Sequence, residues 1–141
     1  MELSTEVVLA LATVRTLVGS GVLSPPMALP WWLPFGAVPE LTALELHEVL
    51  HGGSPPQLVD VRSELEFAAG HIAGAVSAPI TSLAERLPRL GLDARRPVVA
   101  ICLTAHRSIP AVRLLRREGL EARQLSGGML AWRAARLPET T

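Results

Sequence analysis

From residue 40 onward, short apolar runs alternate with amphipathic stretches, and glycine or proline separates most of them. Thr42 is placed to cap a helix over Ala43–Leu50, which Gly52-Gly53 and Pro55-Pro56 end. Gln57–Val61 reads as a short buried strand, followed by a brief helix from Ser63 through Phe67 that Gly70 closes. Ala75–Ala78 is a second strand, stopped by Pro79, and Thr81 or Ser82 opens a helix to Leu87 that Pro88 stops. Pro97–Ile101 is a strand that leads into Cys102, and Ser108 is placed to cap a helix over Ile109–Glu118. Glu121–Leu125 is the next strand, Gly127-Gly128 a turn, and Met129–Leu137 a closing helix. Strand–helix alternation at this pitch predicts an α/β fold with a parallel sheet covered on both faces. Such sheets bind ligands beyond the carboxyl ends of their strands. Cys102 and the Asp60-Val61-Arg62 segment both lie at such ends.

The first 39 residues follow another pattern and form a separate extension. Val7, Ala10, Leu11, Val14, Leu17 and Val18 make one apolar stripe at helical spacing. The start lacks the positive region of a secretory signal. A membrane span would carry Arg15 near its centre, at a cost of roughly 2.5–3.5 kcal/mol. An interaction helix fits better. Residues 24–39 are broken by five prolines, with Trp31, Trp32 and Phe35 between them. They read as a strap packed over the domain, with an arm joining two copies through residues 5–35 as the alternative. Membrane contact is disfavoured.

Within 141 residues there is room for one core and an appendage. The formal charge is zero, which argues against nucleic-acid binding through bulk positive charge. All basic residues are arginine, and seven of them follow residue 100 against three acids there, so an anionic substrate is favoured near Cys102. One cysteine permits no internal disulfide and no internal resolving thiol. A cytoplasmic location is therefore expected, and whatever Cys102 acquires must leave to a second molecule.

The thiolate, not the thiol, is the nucleophile. The loop from Cys102 through Leu103, Thr104, Ala105, His106 and Arg107 to Ser108 can turn its amides toward the sulfur as an anion nest. The helix behind it adds a positive dipole end. These residues point to covalent sulfur chemistry at Cys102, provided that main-chain donors, rather than hydrocarbon, surround the sulfur. No cofactor is called for.

Leu58-Val59-Asp60-Val61-Arg62 with Glu66-Phe67 and Gly70 through Ala75, then Cys102–Ser108, then Gly127-Gly128 with Trp132, resemble the signatures of the rhodanese-like domain in order and spacing. The resemblance spans residues 40–138. It implies a three-layer α/β/α fold with a five-stranded parallel sheet in the order 3-2-4-5-1, which sets the Asp60 strand beside the Cys102 strand. It also implies a sulfurtransferase that takes a sulfane sulfur from a thiosulfate-like anion onto Cys102 and passes it to a thiol or cyanide. The alternative is a persulfide carrier or an interaction module without catalysis. Related phosphatases and arsenate reductases have five residues between Cys and Arg; here there are four, Leu103–His106, a cup too small for phosphate.

Several neighbours keep two readings. Arg107 either contacts the donor or ties the loop to Glu66. Arg62 either faces the mouth or pairs with Asp60 or Glu66, and Asp60 supports the strand end. His71 is expected as a hydrogen-bonded turn residue and His106 as a surface residue. Ala105 replaces the glycine of many relatives of this type, which admits a strained cup. His47 and His51 stand at metal-binding spacing but lack a third ligand, so no metal is expected.

Overall fold

The structure is a computed structural model that describes residues 30–141. The expected helix over residues 5–23 and the first part of the proline-rich strap lie outside the described residues. Five strands form one parallel sheet: β1 Glu40–Leu41, β2 Gln57–Asp60, β3 Val76–Ser77, β4 Val98–Ile101 and β5 Ala122–Leu125. Their order is β1-β5-β4-β2-β3, the expected arrangement read from the opposite edge. The helices are α1 Ala43–Leu50, α2 Glu64–Ala69, α3 Leu83–Arg86, α4 Ser108–Arg117 and α5 Gly128–Ala134.

Side chains alternate along the central strand, so both of its faces are buried and the sheet divides two cores. Val98, Ala100 and Cys102 pack on one side with Leu83, Val112 and Leu115 of α3 and α4. Val99 and Ile101 pack on the other with Leu46, Met129 and Trp132 of α1 and α5. Helix starts are set by local chemistry. Thr42 and Ser63 each close a capping box, with Glu45 and Glu66 respectively.

Some boundaries differ from the sequence reading. The strand β1 has only two residues and arises from pairing with Gln124 and Leu125 of β5. The third helix ends at Arg86, just ahead of Pro88 as expected, and a 3₁₀ turn, Leu87–Arg89, with Pro88 inside it follows directly. The closing helix ends at Ala134, two residues before Arg136 takes a left-handed φ of 56°. Ser108 is not a cap. Arg107 already has helical backbone angles, so Ser108 is the first helical residue and its hydroxyl turns inward.

The described part of the strap lies against α4. Arg113 donates to the carbonyls of Leu33 and Phe35, at 2.7 Å each. Trp31 packs on the first core, while Trp32 and Phe35 are exposed. Among the described residues no helix is long and apolar enough to cross a membrane.

Candidate active site

Cys102 follows β4 and continues its alternation, so its side chain enters the core beneath the first turn of α4. It is 1% exposed. Its Sγ lies 3.4 Å from Ser108 Oγ. The loop thus brings a side-chain hydroxyl within hydrogen-bond reach of the sulfur.

The carbonyls of the loop are held firmly. Met129 N donates to Cys102 O at 2.8 Å and Leu130 N to Leu103 O at 3.0 Å. The free amides at the start of α5 thus fix the loop's first two residues. This contact needs Gly128. A Cβ there would press into the carbonyl oxygens of Cys102 and Thr104 and stand 2.6 Å from the Leu103 carbonyl carbon. Gly128 was legible as a turn residue, but not as the floor of the loop.

Arg107 makes a two-pronged ion pair with Glu66, at 2.6 and 3.0 Å, which joins the loop to α2. The tie to Glu66 is thus the reading the geometry takes. The same Glu66 also caps its own helix by accepting from Ser63 N. The Arg107 guanidinium holds the Glu66 carboxyl down at about 2. In turn Glu66 raises Arg107 above its ordinary value.

Of the two readings of Arg62, the structure takes the pair with Asp60 and not the place at the mouth. Arg62 is 1% exposed, its guanidinium grips both oxygens of Asp60, and it donates to Gly70 O at 2.8 Å. A buried arginine paired this closely cannot turn outward without stranding the Asp60 charge. Asp60 also accepts from Arg62 N, which completes its structural part.

His71 Nδ1 hydrogen-bonds Phe67 O at 2.8 Å, and its ring stacks on Phe67. His106 is exposed, with Nδ1 3.3 Å from Thr104 Oγ1. Leu103, Thr104 and Ala105 are partly buried in the loop, and Leu103 packs on the second core. Neither Ala105 nor its loop neighbours have a positive φ, so the alanine is not strained. Sequence reasoning missed Gln124, a buried polar residue of β5 whose Oε1 accepts from Ser108 Oγ at 2.7 Å. A lone amide at an inward position of β5, between the exposed Arg123 and the buried Leu125, was the available signal.

His47 and His51 adjoin a separate cavity of about 560 Å3 at the amino ends of the strands, lined also by Pro55, Arg96 and Trp132. No third metal ligand joins them among the described residues.

A parallel sheet in this order, with a cysteine loop pinned between two helices, is a defined class of domain. The family model "Rhodanese-like domain" matches residues 42–135, and the chain belongs to that family. Over 83 residues it is 48% identical to the HTH-type transcriptional regulator Rv0324 of Mycobacterium tuberculosis, covering 57% of this chain and 36% of that protein. It is thus similar to about a third of that regulator's length. The putative sulfurtransferase YtwF of Bacillus subtilis is 28% identical over 102 residues, covering 72% of this chain and 97% of YtwF. Among solved structures, a rhodanese-related protein from Thermoplasma volcanium superposes with a TM-score of 0.66 at 27% identity, covering 73% of this chain and 98% of that one. Sulfurtransferase activity in general is what the family and these names support.

Proposed function

We propose that the protein is a sulfurtransferase that carries a sulfane sulfur on Cys102. The observation that carries this reading is the placement of the thiol: it follows the central strand, it touches a hydroxyl, and the loop that holds it ends in an arginine tied to Glu66. In the first step the Cys102 thiolate attacks the outer sulfur of a thiosulfate-like donor. The new S–S bond forms as the donor's own S–S bond breaks, and sulfite leaves with the electron pair. In the second step a thiol or cyanide attacks the outer sulfur of the persulfide, and Cys102 departs as thiolate. With no second cysteine in the chain, the acceptor is another molecule.

The buried sulfur means that the loop must open for the donor to arrive. That burial also favours a second reading, in which the domain serves as a carrier or interaction module, as in a protein where it is one part of a regulator. Thiosulfate:cyanide turnover separates the two. Sulfur transfer that Cys102→Ser abolishes supports catalysis, whereas a parent protein without turnover supports the module. The mass of the purified protein gives a second check. A gain of about 32 Da that Cys102→Ser lacks is the persulfide expected of covalent catalysis.

A further inference from the structure

Cys102, Ser108, Gln124 and Glu40 form one polar chain from the sulfur, through the core, to the sheet margin. The Ser108 hydroxyl has two carbonyl-type acceptors, Gln124 Oε1 at 2.7 Å and Ala105 O at 3.0 Å. At the far end Gln124 Nε2 donates to Glu40 Oε2 at 2.9 Å.

The direction of donation along this chain is determined. A carboxylate only accepts, so Glu40 must face the Nε2 end of the Gln124 amide. That leaves Oε1 aimed at Ser108. The hydroxyl has a single proton, and both of its oxygen partners claim it. What it offers Sγ is therefore a lone pair, which suits S–H and not S⁻. To accept a hydrogen bond as a thiolate, the sulfur must draw the Ser108 proton away from Gln124. Gln124 is 4% exposed, so its Oε1 would then be left without that donor inside the core.

We infer that Gln124, oriented by Glu40, is a positioning residue that points the Ser108 hydroxyl away from Cys102 and holds the resting sulfur as a neutral thiol. The inference rests on the reading of Cys102 as the reacting sulfur, and it assigns that sulfur a built-in restraint. The other charges facing this region are Arg107 at the start of α4, its partner Glu66 on α2, the Asp60–Arg62 pair after β2, and the Arg133–Glu139 pair beside α5. None of them touches Gln124, so none changes when Gln124 is replaced.

The chain has one cysteine and no tyrosine, so the ultraviolet absorbance of thiolate, followed against pH, titrates Cys102 alone. Gln124→Leu should move its midpoint down by about 0.5–1 pH unit, the equivalent of one hydrogen bond. In a Ser108→Ala background the same substitution should move it by less than about 0.2 unit, because the hydroxyl that transmits the effect is gone. An unmoved or raised midpoint, or equal shifts in the two backgrounds, overturns the inference. Should Gln124→Leu fail to fold, Glu40→Gln at the exposed end frees the amide to turn over. It must then give a downward shift that Ser108→Ala cancels, or the inference falls. The titration needs no sulfur donor. A Ser108-dependent shift in a protein that moves no sulfur upholds this inference and sinks the catalytic reading, and sulfur transfer with an unmoved midpoint does the reverse.

Discussion

Replacing Gly128 by alanine tests whether the start of α5 is the floor of the cysteine loop. Two costs add. The residue has a φ of +57°, and a left-handed L-residue costs about 1–2 kcal/mol. The added methyl would also meet main-chain atoms of residues 102–104, which cannot swing aside as a side-chain tip can. Overpacking of that kind costs about 1–3 kcal/mol. The sum is a loss of about 2–5 kcal/mol, with the loop displaced from the amides of Met129 and Leu130. Gly91 supplies the comparison, since its φ is +66° and an added Cβ there meets nothing within 4 Å. Gly91→Ala should show the conformational cost alone, about 1–2 kcal/mol. Urea denaturation of the two variants, read from the midpoint at unchanged slope, gives the difference directly. Labelling of Cys102 by iodoacetamide should also quicken in Gly128→Ala only, as its cover loosens. If the two variants lose equal stability and Cys102 labels at the parent rate in both, the helix start does not hold the loop.

Three further outcomes follow from the ion pairs and the strap. Arg62→Met should destabilise by about 3–5 kcal/mol, because it strands the buried Asp60 carboxylate; thermal or urea unfolding reads this, and a loss under about 1 kcal/mol would contradict the burial argument. Glu66 has its carboxyl lowered to about 2 from 4.5, so its contribution is fully present above about pH 4.5 and disappears as pH falls toward 2. Glu66→Gln should therefore cost on the order of 1 kcal/mol at neutral pH, after screening at this partly exposed pair, and show no such cost at pH 2. Arg113→Ala should release the strap from α4; limited proteolysis within residues 30–38 should accelerate several-fold, and a cleavage rate equal to the parent's would refute the clamp.

The elements legible in the sequence were those with a local cause. Thr42 and Ser63 announce their helices through side chains that bond within three residues. The central strand β4 is a continuous apolar run because both of its faces are covered. What escaped was decided at long range. Glu40–Leu41 is a strand only because β5 lies beside it, and the Glu40 carboxylate reaches Gln124 across 84 positions of sequence. Ser108 was misread as a cap because its local pattern competes with partners that the fold supplies, Gln124 foremost. Arg62 kept two readings for the same reason. Nothing in an arginine two residues after an aspartate tells whether the pair is sealed or open, and its burial depends on Gly70 passing over it.

The margins of the sheet have their own consequence. β1 and β3 are the outer strands, and each is two residues long. Pro39 stands immediately before the first, and Pro79 lies two residues beyond the second, so neither margin can be lengthened with a full set of N–H donors. A sheet rim is where folded copies zip together into fibrils or clumps, and here the zipper has almost no teeth. Aggregation of this domain should accordingly require that the core first come apart.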